Sequence, residues 1–416
     1  MLLFIYRLII NFIFLLSPFI ILYRIFINKE DPKRYKEKLC FFSKKKIGKK
    51  LIWFHGASVG EISSIIPLVF KLEKNRKIDQ ILITSSTLSS SNILKQFKFK
   101  KTIHQFFPID TNQLSNKFLN YWKPSLAVFI DSEIWPNMVF NLKKKSIPIL
   151  LLNARITNRS FRKWKMLGNF SNHVFQCIDK TLVSNIETIK YLKYFGVKNM
   201  KSVGNLKFIQ NRYKNLSLPK NLRKFILNKN TWCSSSTHRG EELISVKTHK
   251  ILKRKYNNLL SVIIPRHVER SNELVEMFNN HNLNIHCHSW KTQIPKKTDI
   301  YLVDTYGETE KFFNLIKIVF VGGSFVNHGG QNPLEPVRHG CFVLYGPYVN
   351  NFKHIYNYLD KIKLSKKVGN IQNLNKKIKI LFKNKNKSKL VVKKVKKFGD
   401  KILISTIKEI ERELNK

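Results

Sequence analysis

The chain has 416 residues, enough for two domains of ordinary size, each with its own core. Lys and Arg total 76 against 26 Asp and Glu, a formal net charge of +50, which points to an anionic partner: nucleic acid, a membrane surface or an acidic substrate. Lys, Asn, Ile and Phe are abundant together, as codon bias in an AT-rich genome produces, so part of the excess is discounted as a functional signal. The five cysteines (Cys40, Cys177, Cys233, Cys287, Cys341) are odd in number and never form a CxxC pair, which argues for a reduced cytoplasm and against a disulfide framework or a zinc site.

Met1 to Phe26 is almost wholly apolar, and at about 1.5 Å per residue it can cross a hydrocarbon core of about 30 Å. It lacks the small-residue cleavage site of a signal peptide. Positive charge crowded into Lys29 to Lys50 would hold the downstream chain on the cytoplasmic side. A spanning anchor and a monotopic helix lying in the interface both remain open. The expected division is an anchor over 1–28, a first Rossmann-like domain over 29–212 and a second over 213–416, with a polar linker from Gln210 to Lys220.

From Leu51 the pattern alternates strand and helix. Leu51 to Phe54 predicts a strand ending in HGASVGE, which leads into an amphipathic helix, so Glu61 sits at a strand-to-helix turn. In an open α/β sheet that is where ligands bind. Glu61 reads either as a helix-start carboxylate stabilised by the dipole or as a general base in a cleft. Gln80 to Thr84 is a second strand, and the hydroxyls that follow through Thr87 cap a helix or bind ligand groups. Phe106 to Asp110 ends another extended segment. Leu126 to Ile130 runs into DSEIWPN, where Asp131 and Glu133 point the same way if the chain stays extended. Ile147 to Leu152 precedes Arg155 and Arg159, a basic edge or a solvated loop. Leu182 to Ser184 and Gly204 to Phe208 complete the half, placing Lys207 where an interdomain crevice is expected.

The second half repeats the scheme. Thr231 to Ser234 runs into SSTHRGEE, Leu259 to Ile264 into PRHVER with the always-charged Arg266, and Ile300 to Val303 into DTYGE. Ile318 to Val321 opens into Gly322-Gly323-Ser324, a turn whose backbone amides suit a phosphate. Next come Gly329-Gly330 and a helix start at Asn332-Pro333-Leu334-Glu335. Phe342 to Leu344 is the following strand, and the tail from Lys361 to Lys416 is lysine-rich and helix-forming. Polar and glycine residues load the carboxyl end of each strand and leave the other end bare, as expected for an enzyme with two facing Rossmann-like halves.

WFHGASVGE, DSEIWPN, NARIT, VGNLKF, SSTHRGEE, PRHVER, DTYGET and VGGSFVNHGGQNPLE resemble, in order and spacing, the 3-deoxy-D-manno-octulosonate (Kdo) transferases of lipopolysaccharide assembly. The resemblance runs from the N-terminal anchor to about Phe352. It implies an α/β protein of GT-B fold and an inverting, metal-independent glycosyltransferase without a cofactor. Such an enzyme moves Kdo from CMP-Kdo to lipid IVA at the cytoplasmic face of the bacterial inner membrane. By the same resemblance Glu61 is the general base, and Asp131 stands where the family has a transition-state-stabilising glutamate. Lys207 is the second stabiliser. CMP falls to Pro265 and Arg266, to Tyr306, Gly307 and Glu308, and to Asn332, Pro333, Leu334 and Glu335. Gln331 replaces a frequent family histidine. In GT-B proteins the last helix often crosses back to the first domain.

Two other classes compete. A GT-B transferase using a UDP-sugar on another membrane lipid has the same layout. A nucleic-acid-binding protein accounts for the charge, but the apolar anchor and the lack of an aromatic-basic recognition module argue against it.

Overall fold

The computed structural model of the chain describes residues 1–209, 217–383 and 388–416. It divides into two compact units: Met1–Asn211 with Gly399–Lys416, and Arg212–Phe398. Most of the expected Gln210 to Lys220 linker, residues 210–216, lies outside the described residues.

The first unit holds a seven-stranded parallel sheet built from β1 (Leu51–His55), β2 (Gln80–Ser85), β3 (Thr102–Phe106), β4 (Leu126–Ile130), β5 (Ile149–Ala154), β6 (Lys180–Val183) and β7 (Met200–Ser202). Their order is β3-β2-β1-β4-β5-β6-β7. β1 is therefore flanked by β2 and β4, with Ile52 paired to Ile81 on one side and Leu126 on the other. β1, β2, β4 and β5 are buried along their whole length, which is why they read as continuous apolar runs rather than alternating ones. Around them Trp53, Phe118, Trp122, Phe129 and Phe175 fill the core.

Side-chain caps start the helices between these strands. Ser58 caps Val59–Leu72, Thr87 caps Leu88–Leu94, Thr111 caps Asn112–Trp122, Thr157 caps Asn158–Met166 and Asn185 caps Ile186–Tyr194. Thr87 thus takes the capping role. The apolar helix Leu2–Phe26 is tied to this unit near its start: the Tyr6 hydroxyl donates to Asp110 at 2.7 Å, and Arg7 donates to Asn137 at 3.0 Å and Asn112 at 3.2 Å. Near its other end Arg24 donates to Glu30 at 3.2 Å.

The second unit repeats the plan with β8 (Asn230–Thr237), β9 (Leu259–Pro265), β10 (Ile285–Cys287), β11 (Ile300–Leu302), β12 (Ile318–Val321), β13 (Phe342–Tyr345) and β14 (Ser365–Lys367). The order is β10-β11-β9-β8-β12-β13-β14, again parallel throughout. In both sheets the order reverses beside the first strand, between β1 and β4 and between β8 and β12. Those are the two switch points at which α/β sheets bind ligands.

Several expectations change. Gly204 to Phe208 is no strand: Leu206–Phe208 is one turn of 3₁₀ helix, and the strand beside β6 is Met200–Ser202. The three-residue strands β7, β10 and β14 are too short to show a period in sequence. Residues 399–416, expected with the second domain, belong to the first unit. The helix Ser388–Leu414 buries Ile402, Thr406, Ile410 and Leu414 at four-residue spacing, and its Glu409 meets Lys201 at 2.7 Å and Lys180 at 3.3 Å. A side chain at Gly399 would lie 2.5 Å from the Phe208 carbonyl oxygen, so a glycine is needed for that close approach.

Ile410 is fully buried. Ile410→Ala is expected to cost about 2–5 kcal/mol, read as a lower midpoint in thermal or urea unfolding of the whole chain.

Candidate active site

In the first unit the segments after β1 and β4 flank the switch point. Ser58 caps the helix Val59–Leu72 and Glu61 completes a capping box. The Glu61 carboxylate accepts from the Ala57 amide at 2.7 Å, the Ser58 amide at 3.3 Å and the Ser58 hydroxyl at 2.9 Å. The helix-start reading is therefore realised, yet this carboxyl group is raised above the usual range. Burial is the first cause and the charge of Glu133 the second; Asp131 adds to both, while the Ser58 and Ala57 hydrogen bonds oppose. A helix cap alone needs no such neighbours.

Asp131 and Glu133 are not on extended chain as expected. Asp131 has φ 56°, and the Glu133 amide donates to the Ile130 carbonyl at 3.2 Å, closing a turn. Both carboxylates nonetheless act electrostatically on Glu61. Glu133 is held from behind by the Trp135 indole N–H at 3.1 Å and lies 3.5 Å from His55 Nε2. His55 is fully buried, stacked on Phe107 at 3.8 Å, and burial holds its pKa below the ordinary value. Burial raises Asp131, opposed by the Asn153 side-chain amide and the charges of Lys207 and Arg155.

Asn153 joins these parts. Its side-chain N–H donates to Asp131, and its side-chain oxygen accepts from the Leu206 amide at 3.0 Å, so the turn bearing Lys207 is hung on the same asparagine. Asn205 also accepts from the Lys207 amide at 2.9 Å. The three residues expected to be catalytic thus lie within one electrostatic cluster. Asn153, His55, Asp110 and Glu133 were not among the expected catalytic residues. Asp110 accepts from the amides of Asn137 and Met138, and so positions the helix Pro136–Lys144 that begins within DSEIWPN. A polar residue directly after an apolar strand was the signal for Asn153 in NARIT.

In the second unit the phosphate reading of Gly322-Gly323-Ser324 is overturned. The amides of Gly323, Ser324 and Phe325 donate to the buried carboxylate of Glu241 at 2.6, 3.0 and 2.9 Å, and the His238 amide donates to it at 3.0 Å. The protein supplies its own anion to this turn. A Cβ at Gly322 would lie 2.4 Å from the Ser236 carbonyl oxygen, so the chain passes there only as glycine.

The expected nucleotide residues lie along the carboxyl edge of the same sheet. Pro265 ends β9, and the Arg266 amide donates to the Thr237 carbonyl at 3.0 Å while its side chain is exposed. Tyr306 is exposed and donates to Glu269; Gly307 has φ 84°. Glu308 accepts from Lys311 at 2.9 Å. Asn332 donates to Glu335 at 3.4 Å, while the buried Pro333 and Leu334 pack into the fold at the start of the helix Leu334–Arg338. Burial, then Glu310, raises the Glu335 carboxyl, with Arg338 and Arg266 opposing. His238 stacks on His328 at 4.3 Å and meets Gln331 at 3.0 Å. Burial, the two neighbouring histidines, and Arg266 and Arg270 pull His238 down to about 4, so its ring is neutral and accepts from the Gln331 amide.

Residues 33–210 match the family model described as 3-deoxy-D-manno-octulosonic-acid transferase (kdotransferase). A 3-deoxy-D-manno-octulosonic acid transferase of Rickettsia bellii is 34% identical over 344 residues, 80% of each chain. The chain belongs to the 3-deoxy-D-manno-octulosonic acid (Kdo) transferase family. The Haemophilus influenzae Kdo transferase is 30% identical over 75% of this chain and 74% of its own, and the Rickettsia felis one is 33% identical over 72% of this chain and 64% of its own. Among solved structures, a putative UDP-N-acetylglucosamine 2-epimerase from Listeria monocytogenes superposes with TM-score 0.58 at 13% identity, covering 88% of this chain and 98% of that one. That likeness is one of fold, the two-domain parallel α/β architecture of GT-B proteins. Within this Kdo transferase family member, the eight motifs occupy the strand ends described above.

Two measurements probe this arrangement. Glu133→Gln removes a negative neighbour of Glu61, so the Glu61 carboxyl should titrate at lower pH than in the wild type, as followed by carboxyl NMR. Glu241→Ala leaves the amides of His238, Gly323, Ser324 and Phe325 without their acceptor and should lower the thermal midpoint, at a cost of at least about 3 kcal/mol.

Proposed function

We propose that this chain is an inverting, metal-independent transferase that moves Kdo from CMP-Kdo to lipid IVA in lipopolysaccharide biosynthesis. One observation carries the reading: the carboxylate cluster with an adjacent lysine at the first switch point, on a chain of the Kdo transferase family. Glu61 is the base that takes the proton from the attacking sugar hydroxyl, and its raised pKa brings it nearer to working pH. The acid form cannot accept that proton, so the rate falls as pH drops through the raised pKa. Lys207 and Asp131 act on the charge that develops as the bond to the nucleotide breaks. Asp131 is one methylene shorter than the family glutamate; the amide of Asn153 and the turn hung from it hold it beside Lys207.

The nucleotide phosphate of CMP falls to Arg266, whose planar fork suits an anion, and the rest of the nucleotide to Tyr306 to Glu308 and Asn332 to Glu335. With the Gly322 turn filled by Glu241, an arginine takes the place of an amide cradle. The helix Leu2–Phe26 anchors the protein to the cytoplasmic face of the inner membrane. Its ties at Tyr6, Arg7 and Arg24 hold both ends beside the first unit, which favours a helix lying in one leaflet.

Purified protein incubated with lipid IVA should give the Kdo-bearing product by mass spectrometry with CMP-Kdo and none with UDP-sugars. Glu61→Ala should lower the rate by about a hundredfold or more with CMP binding nearly intact, whereas Arg266→Ala should chiefly weaken CMP binding. Full activity in Glu61→Ala, or transfer from a UDP-sugar alone, would remove this reading.

A further inference from the structure

The second unit has a cavity of about 820 Å³ at the end of its sheet opposite the nucleotide edge. The strands β8, β12, β13 and β14 begin at its wall, with Asn230, Ile318, Phe342 and Ser365 in the lining, whereas the expected CMP residues follow the other ends of strands. Its size falls in the range of about 300–1,000 Å³ typical of small-molecule sites.

The interior is chemically apolar. Ile226, Ile316, Leu364 and Phe382 line it with the strand starts, and several of its polar groups are bonded within the fold. Thr231 donates to the Ile226 carbonyl at 3.0 Å, Asp360 accepts from Tyr345 and Ser365, and the Lys229 and Lys317 ammonium groups donate to backbone carbonyls. Three large lining side chains are nevertheless open to solvent: Leu227 and Leu390 at 56% exposure and Ile380 at 42%, so an apolar patch leads into the cavity. Lys363, Lys366, Lys377 and Lys394 stand among these side chains, and Lys377 Nζ lies 5.5 Å from the centre of the Phe342 ring. None of the four sits in an ion pair among the described residues.

We infer that this cavity binds a single-chain anionic amphiphile, a long-chain fatty acid, with the acyl chain in the apolar interior and the carboxylate among the four lysines. The apolar interior selects a hydrocarbon chain, and the four lysines around it, against one lining carboxylate (Asp360) already engaged by Tyr345 and Ser365, select an anionic head. This is a site separate from the transferase centre and does not rest on the proposed reaction.

Calorimetric titration of the full chain with dodecanoate, kept below its micelle concentration, tests it. Saturation at one ligand per chain is expected, with dodecanol weaker by about tenfold or more. Ile380→Asp puts a carboxylate at an exposed wall position and should weaken dodecanoate by about tenfold with an unchanged thermal midpoint in its absence. A double variant, Lys366→Glu with Lys377→Glu, leaves the apolar wall intact and should give a similar loss. Binding that does not saturate, equal affinity for dodecanol, or full affinity in both variants would overturn the inference. So would dodecanoate silence accompanied by capture of phosphatidylglycerol vesicles through these residues, which would make the patch a membrane surface, or by a dimer that Ile380→Asp breaks.

Discussion

In each sheet the strand order reverses beside the first strand, and that reversal is the constraint on which the rest depends. Right-handed crossovers send the chain from β1 toward β2 and from β4 toward β5, so the loops leaving β1 and β4 part and leave their ends uncovered. Glu61 stands in the first turn of the helix that follows β1, and Asp131 and Glu133 on the loop that follows β4. β8 and β12 have the same relation, and there the chain brings Glu241 and the Gly323 turn together.

The two switch points use that opening differently. The first concentrates negative charge: three carboxylates act on one another, offset by Lys207 and Arg155 and by the hydrogen bonds of Asn153. Such a cluster raises the proton affinity of the Glu61 carboxylate, a useful property for a group that must take up a proton. The second neutralises its own amides with a buried carboxylate. Glu241 ties down the turn between β12 and Gln331.

Tethering recurs at larger scale. The amino-terminal helix is hydrogen-bonded to the first unit through Asp110, Asn112 and Asn137, at the starts of the helices Asn112–Trp122 and Pro136–Lys144. The closing helix returns to that unit through Glu409 and through the glycine that lets its backbone meet Phe208, next to Lys207. Both ends of the chain thus bear on the elements that carry the carboxylate cluster and its lysine.

Much of this was legible in the sequence. Apolar runs ending in polar, glycine-containing turns mark nearly all the long strands, because a strand buried on both faces must be apolar throughout and its ligand-side loop must be polar. The position of Glu61 after β1 and of Arg266 after β9 followed from that alternation. Contacts between distant residues were not legible. The Gly323 turn looks like a phosphate loop until Glu241, 82 residues earlier, is seen to fill it. Asn153 gains its meaning only when Asp131 and Leu206, 22 and 53 residues away, converge on its side chain. Local pattern sets which segments become strands and which ends are polar, since those depend on neighbouring residues. Which polar group satisfies which partner is decided by folding, where burial makes each unpaired donor or charge costly enough to select its match.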